Sequence, residues 1–183
     1  SGAARKPEHL AVMQEAARAA TILVRSDAGA IPLHVTPNTT VIEFASYLDS
    51  AAMDKGLPST FASTFSEYFP GAAVLSMPAG EFPAEVVARA KTQASAADLL
   101  ILTVRNAHLW ADELALAREL IGLARAVVLV CLANPYDAGA LDAPNVRAVL
   151  CTCGDSTPSL IAAVDALAGR FVPAGRLPVR TIA

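Results

Sequence analysis

The stretch that decides the fold is residues 146–179, VRAVLCTCGDSTPSLIAAVDALAGRFVPAGRLPV. Residues 146–152 form a short apolar run with β-branched members, which is typical of a buried strand. Gly154 interrupts the run, and a helix follows in the prediction, with Thr157 as its cap and Pro158 at its first position, where a missing N–H costs nothing. Gly169 is predicted to end that helix. The stretch therefore predicts one strand–turn–helix unit of a layered α/β protein.

The same unit recurs in the residues that precede this stretch. We predict strands at residues 39–46, 72–77, 99–104 and 126–133, and helices at residues 8–20, 60–68, 81–95, 110–124 and 134–141. Residues 47–54 are ambiguous. Strands that alternate with helices predict a three-layer α/β/α sandwich, flavodoxin-like in layout, with a mostly parallel sheet of five to six strands.

The length and composition fit one domain with a substantial core. The chain has 183 residues, and 54% of them are hydrophobic, which is typical of an α/β domain whose strands are buried on both faces. We expect a single domain over residues 1–183. In it, residues 1–36 supply an N-terminal helix and a linker-like lead-in, and residues 37–183 supply the sheet core.

The charge balance and the targeting signals restrict the partners. A net charge of −3 and an aromatic content of 5% argue against a nucleic-acid surface, which needs basic patches and stacking rings. No apolar run approaches the roughly 18 residues that span a bilayer, and the N-terminus lacks the apolar core of a signal peptide. We therefore expect no nucleic-acid partner, no membrane segment and a cytoplasmic location.

The cysteines, histidines and glycines favour neither a metal nor a cofactor. The three cysteines, Cys131, Cys151 and Cys153, are predicted to be reduced core thiols, with Cys151 and Cys153 on the same side of a strand. No two histidines have the spacing of metal ligands. The sequence also lacks both the GxGxxG and the GxxxxGK[ST] phosphate loops, so no nucleotide cofactor is expected.

Polar side chains follow the predicted strands at the edge where ligands of open α/β sheets bind. The loops at this edge are residues 47–49, 78–80, 105–108, 134–137 and 154–156. From them we take six candidate residues for a ligand site or a domain-facing edge: Arg105, Asn106, His108, Asn134, Asp137 and Asp155. They form no recognised catalytic set.

Most of these residues also have a structural interpretation. Asp137 and Asp155 suit helix starts, where the helix dipole favours an acid. Arg105 either holds an anion or pairs with one of the acids Asp137, Asp142 and Asp155, and pairing is the more common outcome. His108 is the histidine best placed for a ligand or base role. Ser156 lacks the glycine frame of a nucleophile elbow, so a capping or turn role is favoured.

Several segments together resemble the C-terminal α/β domain of glycoside hydrolase family 3, in particular its two-domain β-N-acetylhexosaminidase branch. The resemblance runs from ILVRSDAGAIPL (22–33) through ADLLILTV (97–104) and VVLVCLANPYDAGAL (127–141) to GDSTPSLIAAVDALAGRFVPAGRLPV (154–179). The last segment is its most specific part, because the individual strands are not specific.

The resemblance implies a fragment of a two-domain glycosidase that acts on terminal β-N-acetylglucosaminides. In that family branch, a TIM-barrel domain carries both the nucleophilic Asp and a histidine loop of the KHFPGHG type, and neither is found in this sequence. Other branches place a catalytic Glu on the C-terminal domain. Glu113, Glu119, Glu81 and Glu85 cannot be matched to it. The resemblance thus implies no catalytic residue in this chain, a barrel partner in the same protein and a carbohydrate substrate for the parent enzyme.

Two alternatives remain open. Instead of a glycosidase domain, the chain could be a free-standing flavodoxin-like module that binds a ligand or partner at its strand ends. The other alternative is an autonomous hydrolase that uses Ser156 or a cysteine. The first lacks phosphate-binding glycines, and the second lacks a visible base.

Overall fold

The computed structural model describes residues 7–46, 60–80 and 82–177. Six helices are α1 (Pro7–Ala20), α2 (Thr60–Tyr68), α3 (Ala84–Ala96), α4 (Ala111–Leu123), α5 (Asp137–Ala140) and α6 (Thr157–Leu167), and a 3-10 turn covers Ala107–Leu109. The strands of the described residues are β1 (Ile22–Ser26), β2 (Thr39–Phe44), β3 (Ala73–Met77), β4 (Leu99–Arg105), β5 (Val127–Leu132) and β6 (Val146–Cys151).

The strands form one sheet in the order β1-β6-β5-β4-β2-β3. All neighbouring pairs are parallel except β1 with β6, which is antiparallel. The five parallel strands therefore have the doubly wound order of flavodoxin-like sheets. Helices α1 and α2 pack on α6, whereas α3 packs on α4. The predicted three-layer sandwich with a mostly parallel sheet is confirmed.

Two apolar clusters fill the space between the sheet and its helical layers. One contains Leu100, Leu102 and Leu129 with residues of α3 and α4, and the other contains Ile101 and Val128 with residues of α2 and α6. Successive residues of a strand point to opposite faces, so β5 and most of β4 must be apolar to serve both clusters, with Thr103 and Arg105 as the polar exceptions in β4. This explains why both strands read as continuous apolar runs.

Strand β1 lies within the segment that the sequence assigned to a linker-like lead-in. It pairs Ile22 with Cys151 and Ser26 with Ala148, at the β6 edge of the sheet. Nearby, the Gly175 backbone N–H donates to the Thr21 carbonyl at 3.2 Å, so the segment after α6 returns to the start of β1. The strand escaped prediction because it is short and only its first residue is fully buried.

Helix α6 is the most deeply buried helix of the described residues. Most of its side chains are inaccessible, because α1 and α2 cover the face that does not contact the sheet. Its cap position is Ser156, one residue before the predicted Thr157, and the Ser156 hydroxyl lies 3.0 Å from that of Ser159. Gly169 ends the helix region with φ of 72°, as predicted.

A buried carboxylate fastens these helices together. Asp165 of α6 is 2% exposed and accepts hydrogen bonds from Arg18 of α1 and from the Tyr68 hydroxyl of α2, each at 2.8 Å. Charge-assisted bonds of this kind are stronger than neutral ones. The burial of Tyr68 and its bond to Asp165 raise the pKa of the phenol.

The cysteines differ from the prediction in one respect. Strand β6 ends at Cys151, and Cys153 adopts a left-handed conformation with φ of 52°. Cys151 is therefore buried beside Cys131 of β5, whereas Cys153 is exposed, so the two do not share a side of one strand. Within the described ranges, no helix is long and apolar enough to cross a membrane. The same ranges contain no group of three or more His, Cys, Asp or Glu residues that could hold a metal ion.

Candidate switch-point site

The sheet has a crevice where its winding direction reverses. The chain passes from β2 outward to β3 and then returns to the other side of β2 as β4. Carboxyl ends of neighbouring strands diverge at such a switch point, and ligands of open α/β sheets bind there. A cavity of about 420 Å³ occupies this position, which we call the switch-point cavity. Its lining residues are Ala45, Ser46, Ala79, Gly80, Phe82, Arg105, Asn106, Trp110, Ala111, Asp112, Glu113 and Asp155.

A buried ion pair forms the floor of this crevice between β2 and β4. The Arg105 guanidinium lies 3.3 Å from Glu43 Oε1 and also donates to the Phe44 carbonyl oxygen. Ser76 of β3 donates to the other oxygen of Glu43 at 3.1 Å. Both charged side chains are buried, so their mutual attraction compensates only part of the hydration that they lose.

The ion pair identifies the acid that binds Arg105. Arg105 pairs with an acid, as expected, but the acid is Glu43 of the neighbouring strand instead of Asp137, Asp142 or Asp155. Asp142 is bound to Arg25 at 2.6 Å on the surface. The guanidinium is therefore held by protein acceptors and is not a ready anion-binding group.

A second buried carboxylate organises the loop after β4. Asp137 is fully buried at the start of α5, and its two oxygens accept the backbone N–H groups of Ala107 at 3.1 Å and His108 at 2.9 Å. The Nδ1 atom of His108 lies 2.6 Å from the same carboxylate. Asp137 is a helix-start acid, as predicted, but the N–H groups it satisfies belong to another loop. The carboxylate thus fixes both the loop backbone and the His108 ring.

The two asparagines predicted for this edge bind each other. Asn134 donates its side-chain amide to the Asn106 side-chain oxygen at 2.7 Å. This bond joins the loop after β4 to the loop after β5. Tyr136 lies over the His108 ring, with centroids 5.5 Å apart.

Backbone strain is concentrated at the same edge. Outside glycine, the described residues with positive φ are Asn106 at 57°, Ala133 at 81° and Cys153 at 52°. Each follows the last residue of β4 or β5, or comes two residues after β6. A left-handed alanine is costly because its Cβ crowds the backbone, and such residues cluster at functional sites. All three strands therefore end in conformations that the surrounding contacts must hold.

Two lining residues of the cavity were not predicted from the sequence: Glu113 of helix α4, and Trp110, which directly precedes that helix. Burial, aided by the nearby Asp137 charge, raises the pKa of Glu113 to about 7, although a backbone hydrogen bond from Arg105 opposes the shift. Glu113 Oε1 is buried and has no hydrogen-bond partner among the described residues. Trp110, directly before α4, is 57% exposed beside it.

The structure thus separates the six predicted residues into two groups. Arg105, Asn106 and Asp155 line the switch-point cavity, whereas His108, Asn134 and Asp137 connect the adjoining loops. The loop at residues 47–49 lies outside the described residues, and the loop at residues 78–80 contributes Ala79 and Gly80 to the cavity. Glu43, Trp110 and Glu113 were not among the predicted residues. Glu43 gave the clearest signal of the three, because it is a charged residue within the otherwise uncharged β2 strand.

The arrangement is suited to binding more than to nucleophilic chemistry. The Ser156 hydroxyl lies against the Ser159 hydroxyl, and Cys131 is fully buried with a raised thiol pKa because Cys151 and burial disfavour its thiolate. Neither residue has the histidine contact that activates a nucleophile. The cavity instead offers carboxylates, an exposed indole and enough volume for a small molecule.

Comparisons with known proteins give a structural likeness. No family model matches the chain, and no curated protein matches it. The fold is similar to a glycoside hydrolase family 3 β-N-acetylglucosaminidase from Paenibacillus sp. strain FPU-7, with a TM-score of 0.75 and 17% identity, over 97% of this chain and 34% of that one.

Two other solved structures show the same likeness. A fungal multi-domain family 3 β-N-acetylglucosaminidase with a GCN5-related glucosamine N-acetyltransferase region matches with a TM-score of 0.75 and 17% identity, over 95% of this chain and 19% of that one. A β-glucosidase from Listeria innocua in complex with isofagomine matches with a TM-score of 0.74 and 18% identity, over 94% and 27%. The chain resembles one domain of these enzymes in fold and spans about a third of their length or less.

Proposed function

We propose that this chain is the accessory α/β domain of a family 3 glycosidase that hydrolyses terminal β-N-acetylglucosaminides. The observation that carries the proposal is the match of nearly the whole chain to one part of much longer glycosidases of this family. The sequence resemblance, which is most specific in residues 154–179, supports the N-acetylglucosaminide branch.

The hydrogen bonds of two buried acids, Glu43 and Asp137, support a structural role for these two residues. Glycoside hydrolysis uses two carboxyl groups, one as acid or base and one as nucleophile or base. Glu43 is bound by Arg105 and Ser76, and Asp137 is bound by two backbone N–H groups and His108. Each oxygen of these two acids already has a hydrogen-bond or ion-pair partner in the protein, so both acids are used to hold the strand ends together.

In the proposed enzyme, the reaction takes place on a separate TIM-barrel domain of the same protein. That domain supplies the nucleophile and the acid/base for retaining hydrolysis through a glycosyl-enzyme intermediate. The present domain packs against the barrel. Its parent enzyme acts on a carbohydrate, such as a glycan or peptidoglycan fragment.

A chromogenic N-acetylglucosaminide tests this division of labour. The 183-residue chain is assayed alone and again as part of the full protein that encodes it. We expect turnover only from the longer protein. Turnover by the isolated chain, abolished by Glu113→Gln, would overturn the non-catalytic assignment.

The switch-point cavity favours one alternative, a free-standing flavodoxin-like binding module. Its position is where doubly wound domains bind their ligands. A thermal-shift screen separates the two functions, since a ligand that binds the folded state raises its melting temperature. A shift with a flavin or nucleotide, together with a full-length protein inactive on N-acetylglucosaminides, would favour the module.

A further inference from the structure

The switch-point cavity has an unusual charge distribution. Among the described lining residues the cation is Arg105, and its charge is compensated by Glu43, while the Phe44 carbonyl accepts a hydrogen bond from it. Asp112 and Asp155 also line this cavity, and neither forms an ion pair or side-chain hydrogen bond with any described residue. An entering ligand therefore meets acceptors with unused capacity, and an anion would be repelled.

The cavity also has an apolar wall. Trp110 is 57% exposed, which is high for the largest aromatic side chain. Phe82 lines the cavity as well and is fixed by an edge-on contact with Phe44, with ring centroids 5.5 Å apart. Aromatic faces attract cations and also stack on flat apolar surfaces.

Glu113 adds a further acceptor to the lining of the cavity. Its Oε1 atom is buried and has no hydrogen-bond partner in residues 7–46, 60–80 and 82–177. A buried carboxyl oxygen without a partner is costly, and a donor supplied by a ligand would remove that cost. This observation is independent of the two exposed aspartates.

We propose that the switch-point cavity binds a small organic cation, a protonated amine carried on a compact ring, with the amine toward Asp112 and Asp155 and the ring against Trp110. The ammonium group donates to the carboxylates, and Glu113 accepts a further hydrogen bond. The volume of about 420 Å³ accommodates one such molecule. This site belongs to the domain itself and does not depend on the proposed glycosidase reaction.

Fluorescence offers a direct readout, because Trp110 is the chain's one tryptophan. The 183-residue chain is titrated near neutral pH with three probes that share a pyranose ring: D-glucosamine, N-acetyl-D-glucosamine and D-glucuronate. They carry a positive, a neutral and a negative substituent respectively. We expect saturable fluorescence change with glucosamine, affinity lower by about tenfold or more for the acetylated sugar, and no binding of glucuronate.

Variants assign the binding to the cavity. Asp112→Asn combined with Asp155→Asn should weaken glucosamine binding by about tenfold or more, while Asp98→Asn at the opposite edge of the sheet should leave it unchanged. Circular dichroism confirms that each variant is folded. Equal affinity for the neutral sugar, an unchanged affinity in the double variant, or no saturable binding of glucosamine would each overturn the proposal, whatever the activity of the full protein.

Discussion

The parallel strands begin at one border of the sheet, the amino edge, and end at the opposite border, the carboxyl edge. Both borders carry acidic and basic residues, but they place them in opposite ways. At the amino edge, charges meet in water: Arg125 pairs with Asp98 at 2.9 Å, and Arg147 pairs with Asp27 at 3.1 Å, with all four side chains about half exposed or more. At the carboxyl edge, the ion pair of Arg105 with Glu43 and the carboxylate of Asp137 are buried.

The carboxyl edge also carries all the described non-glycine residues with positive φ. A smaller cavity of about 310 Å³ does lie at the amino edge, but the ion pair of Arg147 with Asp27 borders it. The contrast indicates that volume alone does not make a site. Buried charge and a constrained backbone distinguish the carboxyl edge, and both cost stability that a purely structural edge has no reason to lose.

Replacing one arginine at each edge should show the largest difference between the two edges. Arg105→Ala removes the guanidinium that pairs with the buried Glu43 carboxylate, and we expect a loss of about 3–5 kcal/mol in the free energy of unfolding. Arg125→Ala at the amino edge should cost about 1 kcal/mol or less, because its pair is exposed. Urea unfolding of both variants measures the difference, and equal losses would contradict the distinction between the edges.

Replacing Asp137 by Asn should have the next largest effect. An amide has one oxygen and cannot accept all the hydrogen bonds that the carboxylate accepts from Ala107 and His108, so we expect a loss of about 1–3 kcal/mol. Hydrogen exchange should show the Ala107 and His108 amides losing protection first. The matched control is Asp142→Asn, which breaks only the exposed pair with Arg25.

Glu113 should make stability depend on pH. Since its pKa rises from 4.5 to about 7 on folding, the folded protein binds more protons than the unfolded chain between these values. The penalty is absent below pH 4.5, grows as pH rises and is complete above about pH 7.

Glu113→Gln should remove that pH-dependent penalty. Because the side chain is partly solvated, we discount the shift and expect the variant to gain about 1–2 kcal/mol over the wild type between pH 4.5 and 8. Urea unfolding across this range measures the gain. Glu119→Gln, on the same helix but exposed and paired with Lys91, should show no such trend.

The smallest expected effect concerns the strained backbone. Ala133→Gly should stabilise the protein by about 0.5–1 kcal/mol, because glycine adopts φ of 81° without a Cβ penalty. Ala115→Gly in helix α4 should destabilise it by about 1 kcal/mol. Thermal unfolding of the two variants shows whether the same substitution changes sign, and destabilisation by both would exclude strain at Ala133.

The sequence predicted the layers better than the contacts. Continuous apolar runs in β4 and β5 identify strands buried on both faces, because no other strand environment tolerates apolar residues at every position. The strand ends then indicated Arg105, Asn106 and Asp155 as neighbours of one edge.

Partners across the sheet were harder to predict. Glu43 meets Arg105 because β2 lies next to β4, a neighbour relation that skips β3 and that local patterns do not encode. Glu113 was missed for a similar reason: its burial depends on how α4 packs behind the loop after β4. Strand β1 was missed because an edge strand with exposed residues lacks the apolar periodicity on which prediction depends.

The hydrogen bond between Gly175 and Thr21 has a consequence for modular architecture. A Cβ at Gly175 would lie 2.7 Å from the Thr21 carbonyl oxygen, so the segment that follows α6 returns close to the segment that leads into β1. The polypeptide therefore passes into and out of the sheet region at one place. A unit connected in this way can be inserted into a longer chain or circularly permuted with little disturbance of its core, because both connections lie at one corner.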